Sequence, residues 1–221
     1  MSNKALWDRV FTTDPRAVKP ITGKQYKGNS PKPYWIVERL TDEFGPCGIG
    51  WGFAIVTERM ERMTETDVLH IAAIKFWYML DGQRGEVEQI GQTKAAYKTA
   101  SGSLLVDEDA PKKSVTDALV KCASYLGFAG DIFSGRWDDS KYVAAADAEW
   151  KARRFAQDPE RANWLESQKD AIFSAKTSGE LKEVVALAVD IARSEDDTAA
   201  VDLLKGWAQE KIKQAKTKEA A

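Results

Sequence analysis

Proton transfer, nucleophilic attack and metal ligation each need particular side chains within reach of one another, and this chain is poor in them. Its one histidine, His70, sits between apolar neighbours in "DVLHIAAIKFWYML" (67–80), with no serine or cysteine motif around it to make a nucleophile–base pair. That places it in a core or on a sheet face. Cys47 and Cys122 lie far apart with no C-x-x-C, so neither a zinc site nor a disulfide framework is expected, and both read as buried thiols. Acidic side chains gather at "DED" 107–109, "DD" 138–139 and "EDD" 195–197. Carboxylates can hold Mg²⁺ for phosphoryl transfer when rigid elements aim them into one pocket, but these three runs read as solvated turns. A metal-dependent nuclease using Asp107, Glu108 and Asp109 is the enzymatic alternative. There is no G-x-x-x-x-G-K-[ST], hence no sign of nucleotide hydrolysis. The expectation is a protein that is not an enzyme and that needs no cofactor and no metal.

What the chain has instead is lysine and arginine interleaved with aromatic residues. Single-stranded nucleic acid is held by two kinds of contact that need no catalytic group: cations along the phosphates and flat side chains against the bases. The formal net charge is −2, yet the sign is segregated. The first forty residues hold eight lysines and arginines against Asp8, Asp14 and Glu38. Eight tryptophans are many for 221 residues, although strand positions such as Trp51 and Trp77 read as core. Composition alone leaves function open, with nucleic-acid binding by an α+β domain as one class and a partner-binding adaptor without DNA affinity as a further alternative.

The elements that must position these groups follow from periodicity. Apolar residues make up 43% and charged residues 30%, the balance of a folded chain. No apolar run reaches the roughly 20 residues of a membrane span, and "MSNKALWDRV" lacks a signal-peptide core, so a soluble, intracellular protein is expected. "DPRAVKPITGKQYKGNSPKP" (14–33), rich in Pro, Gly and Lys, reads as an extended basic arm. Ile36, Val37, Leu40 and Phe44 then predict a helix over 33–44, stopped by Gly45-Pro46. Three strands follow, in "GIGWGFAIVTERM", "DVLHIAAIKFWYML" and "GEVEQIGQT", with Asp81-Gly82 turning the second into the third. Both faces of the second are apolar, which makes it central. Residues 98–111 read as a loop.

In "KKSVTDALVKCASYLGFAGDI" (112–132), Val115, Ala118, Leu119, Cys122, Ala123 and Leu126 form one apolar stripe for packing on the sheet, while Thr116, Val120, Lys121 and Ser124 show on the opposite face. Ser114 and Asp117 fit a capping box, Gly127 ends the helix, and Gly130 turns the chain again. Beyond Trp137 the pattern is helical, with a connecting helix over about 139–157 and breaks at Asp158-Pro159, at "TSGE" 177–180 with Ser178 as N-cap, and at "SEDD" 194–197. The fold class expected is α+β: a three-stranded antiparallel sheet packed on a helix, plus a C-terminal helical bundle.

Together "FGPCGIGWGFAI" (44–55), "LDGQRGEVEQIG" (80–91) and "APKKSVTDALVKCASYLGFAGDI" (110–132) resemble the DNA-binding domain of the single-strand annealing proteins of the Rad fifty-two type, including phage recombinases of that group. The shared order is a helix ending in Phe-Gly, a Gly-Trp strand, an Asp-Gly hairpin, a strand ending in glycine, and a helix with Val-Thr-Asp-x-Leu. The resemblance spans roughly residues 33–135.

It implies a β-β-β-α core that assembles into rings or helical filaments and binds single-stranded DNA in a positive groove. It also implies ATP-independent pairing of complementary strands, in homologous recombination and double-strand break repair. Residues 1–32 would be a basic arm, 33–149 the DNA-binding and oligomerisation domain, and 150–221 a helical partner-binding domain. In phage annealing systems such a tail docks the host single-strand binding protein or a companion exonuclease, and the chain would work in the cytoplasm of the bacterial host. The family's basic closing helix places Lys121 at the DNA, and Lys112, with its neighbour Lys113, coincides with another basic position. The family is basic where this chain has Val120, Ser124, Trp35 and Leu80. Lys24, Lys27 and Lys32 of the arm, Lys94 and Lys98 after the third strand, and Arg136 past the turn are expected to supply the missing charge.

Overall fold

The computed structural model describes residues 2–22 and 27–219. Its architecture is α+β, in two compact units, Met1–Ala146 and Asp147–Ala221.

The N-terminal stretch is more ordered than an extended arm. Helix α1 (Ala5–Val10) buries Val10, a 3₁₀ turn spans Pro15–Ala17, and strands β1 (Val18–Pro20) and β2 (Asn29–Pro31) pair antiparallel. Backbone bonds from Lys32 N–H to Ala17 O and from Ile21 N–H to Gly28 O close the hairpin. Its anchors, Val10, Thr13 and Ala17, are buried singly. They have no helical or strand period, so pattern reading passes over them.

Helix α2 (Pro33–Phe44) has the predicted span, with Pro33 preset for the first turn and Gly45 at φ 91° as C-cap. Ile36, Leu40 and Phe44 are its buried face. The main sheet has four antiparallel strands where three are expected, in the order β3 (Trp51–Arg62), β4 (Val68–Leu80), β5 (Gln83–Lys98) and β6 (Leu104–Val106). Strand β6 lies inside the stretch read as a loop and pairs Val106, Leu105 and Leu104 with Ala96, Tyr97 and Lys98. Three residues are too few to show a period of two. The β4–β5 turn has Asp81 at φ 51° and Gly82 at φ 76°, both in the left-handed region that a two-residue hairpin needs. Strand β4 is interior, with Ala72, Ile74 and Phe76 fully buried and His70 3% exposed on one face.

Helix α3 (Ala110–Ser124) packs over that face of β4 and β5. The close approach requires Gly91, because a Cβ there would lie 2.0 Å from Ser114 O and 2.5 Å from Ala118 N. The expected capping box does not form. The helix starts five residues earlier, with Asp109 as N-cap and Pro111 in its first turn, and Ser114 is buried within the helix, its hydroxyl 2.9 Å from Ala110 O and 3.0 Å from His70 O. Asp117 accepts instead from Gln92 N–H at 3.3 Å. Ser124 is buried rather than on the open face. Gly127 takes φ 103° as expected, but the second left-handed residue is Ala129. Gly130 opens the short α4 (Gly130–Phe133), and its missing side chain makes room for the Phe11 ring, 2.6 Å from where a Cβ would sit.

In the second unit, α5 (Ser140–Gln157), which begins in the first, is followed by α6 (Pro159–Ser174), α7 (Ser178–Ser194) and α8 (Thr198–Glu219). Leu165, Ile172, Leu181, Val189, Val201 and Leu204 are central to its core. The cap of α7 is Thr177, one residue before the one expected, in a capping box with Glu180. Among the described residues no helix is long and apolar enough to cross a membrane.

Candidate nucleic-acid interface

The candidate cations fall into three groups by what they already touch. Lys112 and Lys113, in the first turn of α3, are engaged by the acids just before it: Lys112 Nζ is 3.1 Å from Asp109 and Lys113 Nζ is 2.6 Å from Asp107. The hydrogen bond from Lys113 holds the Asp107 carboxyl below its ordinary value, and the same bond raises the Lys113 ammonium. These four charges largely cancel. They also occupy two of the three carboxylates of the nuclease alternative, and among the described residues no three His, Cys, Asp or Glu side chains converge as metal ligands.

Lys94 lies 3.6 Å from Asp67 and over the Tyr97 ring. Its register partner is Leu69, so the alternation of β4 turns it to the face opposite His70 and Ala72, away from α3. Lys98, at the end of β5, is exposed. Lys32 Nζ donates to Arg16 O at 2.7 Å, Lys27 is exposed just before β2, and Lys24 lies outside the described residues. The structure therefore does not gather all these lysines on one face.

Lys121 is different. It is exposed in the last turn of α3, about 13 Å along the helix from Lys112, and pairs with no carboxylate among the described residues. Its ammonium stands 5.1 Å from the centre of the Phe133 ring, itself 45% exposed, and Tyr125 one helical turn on is 57% exposed. Arg136 continues the patch in sequence, its guanidinium lying 4.9 Å from the Phe11 ring and 5.7 Å from Tyr142. An ammonium over one exposed ring, with a second exposed ring one helical turn along the chain, offers both contacts that a single strand takes, charge for a phosphate and a plane for a base. Sequence reading missed Tyr125 and Phe133. Tyr125 could have been found from its i+4 spacing to Lys121; Phe133 is brought in by the Gly127–Ala129 turn, which no period announces.

No protein-family model and no curated protein matches the chain.

Among the described residues no further strand pairs with β3 or β6, the two edges of the sheet. On β3, Phe53, Ile55, Val56 and Met60 are 39–58% exposed, and on β6, Leu104, Leu105 and Val106 are 39–67% exposed. An edge strand with unpaired backbone is a template for another chain, although β6 is only three residues long and β3 is charged from Glu58 onward. Burial pushes the Cys122 thiol up to about 11, while Cys47 is exposed rather than buried as expected.

Proposed function

We propose that this chain binds single-stranded DNA without reading its sequence and anneals complementary strands without ATP, as an assembly of identical subunits acting in recombination and double-strand break repair. The observation that supports the reading is that the stretches resembling the Rad fifty-two type fall, in chain order, on one α-β-β-β-β-α stretch of the N-terminal unit, with β6 as a strand beyond the three the resemblance implies. These are the end of α2, the start of β3, the Asp81-Gly82 hairpin, the Gly91 position of β5, and α3. On the outer side of that unit, Lys121, Tyr125 and Phe133 supply the phosphate and base contacts.

Contacts to phosphate position a strand but do not identify it, so binding is sequence-independent and falls with salt. A strand coated this way loses the hairpins that compete with pairing and keeps its base edges outward. The two sheet edges support assembly, because different edges joined head to tail generate a ring when the rotation closes and a helical filament when it does not. We assign the C-terminal helices, with Leu187, Ile191 and Leu203 exposed, to a protein partner such as the host single-strand binding protein or a companion exonuclease. The bacterial host cytoplasm is the setting this implies.

The test is annealing of two complementary oligonucleotides in the absence of nucleotide. Acceleration over the spontaneous rate is expected, together with rings or filaments in negative stain; the spontaneous rate unchanged overturns the reading.

A further inference from the structure

Tyr34 is 87% exposed, the most exposed large hydrophobic side chain among the described residues, in a helix whose neighbouring turns are well packed. It lies on the wall of a cleft of ≈ 450 Å³ formed by the 3₁₀ turn and the first turns of α2. Half-buried Trp35 lines it with exposed Arg16 and Lys32, and its acids are Asp14 at the 3₁₀ turn and Glu38 one turn further along the helix.

We propose that this cleft is a nucleotide subsite, in which the Tyr34 ring stacks on one base of a bound single strand and Arg16 with Lys32 take an adjacent phosphate. The inference rests on the single-strand reading above and deepens it. Two features point the same way. The volume is in the range of small-molecule sites. Lys32 is the N-cap of α2, where the helix dipole also favours an anion, and its ammonium reaches the backbone of Arg16 in the 3₁₀ turn at 2.7 Å. Two acids also line the cleft, Glu38 and Asp14, the latter accepting from Arg16 N–H at 2.9 Å in the 3₁₀ turn; the phosphate is assigned to the Lys32 end of α2 and the base to the side of Tyr34. Stacking engages the face of a base and leaves its pairing edge outward, which annealing requires.

Stacking on aromatic side chains is sequence-tolerant, so the subsite discriminates strands that have bases from strands that lack them. The experiment measures anisotropy of two labelled single strands with equal numbers of phosphates, oligodeoxythymidine and an abasic analogue, with the full chain and its Y34A, Y34F and R16A variants. Y34A is expected to bind oligodeoxythymidine roughly 5- to 100-fold more weakly and the abasic strand as the unaltered chain does, while Y34F keeps its affinity. R16A is expected to weaken both strands and to lower the slope of log K against log salt by about 0.7. The exposure of Tyr34 keeps folding out of the result, checked by an unchanged circular dichroism melt. If the unaltered chain binds oligodeoxythymidine and Y34A binds it equally well, or if Y34F is as weak as Y34A, the subsite is overturned while the single-strand reading stands. If the unaltered chain binds neither strand, both fall.

Discussion

Thr13 and Asp131, 118 residues apart, are joined by two hydrogen bonds inside the N-terminal unit: Thr13 N–H donates to Oδ2 at 2.8 Å and its hydroxyl to Oδ1 at 2.5 Å. The same fully buried carboxylate accepts from Ile132 N–H, Trp137 Nε1 and the Tyr142 hydroxyl. Five donors from four stretches of chain converge on one acceptor, tying the start of the chain to the turn after α3. An asparagine keeps the shape but turns an N–H₂ toward donors, leaving several unsatisfied. Asp131→Asn is expected to cost about 2–4 kcal/mol in urea unfolding. Thr13→Val should cost about 1–2 kcal/mol, and the double variant less than the sum, since both remove the same bonds. Additivity of the two would argue against the shared network.

How much of this was legible in the chain follows from how local each signal is. Helix α2 and the β4–β5 hairpin are readable because their causes lie within a few residues: apolar residues one turn apart, and an Asp-Gly pair suited to two positive φ values. The α3 stripe is readable for the same reason, but its start is not, because Ser114 as a cap and Ser114 as a buried donor to His70 O look identical until the sheet is in place. The N-terminal segment is held by Asp131, far along the chain, and β6 by three residues. Lysine types were legible, but which of them are already neutralised was not, since Asp107 and Asp109 lie in the turn that α3 folds back on.

Gly91 should be intolerant of the smallest substitution. In Gly91→Ala the new Cβ meets backbone atoms of α3 at 2.0 and 2.5 Å, which no side-chain rotation relieves, so the helix must lift from the sheet. A loss of about 2–4 kcal/mol is expected by urea unfolding, against less than about 0.5 kcal/mol for Gly179→Ala, whose Cβ would meet nothing closer than 3.8 Å. Equal effects would mean that α3 does not pack this closely.

Lys121 and Lys112 lie on the same helix and carry the same charge, yet they should not contribute equally to a single strand. Lys112 is already paired with Asp109, whereas Lys121 pairs with no carboxylate among the described residues. Lys121→Ala is expected to weaken binding several-fold and to reduce the salt slope by about 0.7, with the melting temperature little changed because the side chain is exposed. Lys112→Ala should change affinity much less. Anisotropy titrations at several salt concentrations measure both, and equal losses would count against the assignment.

The C-terminal unit should respond to acid through one carboxylate. Asp197, nearly buried, receives a two-point contact from Arg161, with Nε at 2.5 Å and Nη2 at 3.2 Å, and caps α8 by accepting from Ala200 N–H. Burial alone would raise its pKa, but Arg161 and the Ala200 N–H outweigh burial and hold it below its ordinary value of 3.8. A carboxyl whose pKa is depressed by folding adds stability above its unfolded pKa and loses it as pH falls through the folded one. The contribution is therefore whole from neutrality down to about pH 5 and is lost below about pH 4. Asp197→Asn leaves Arg161 without its counter-charge and should cost about 2–4 kcal/mol at pH 7. Urea unfolding followed by helical circular dichroism at pH 7, 5 and 3 should show that gap intact at the first two and narrowed at the third. A gap that does not narrow would mean the carboxylate stabilises α8 by shape alone rather than by its charge.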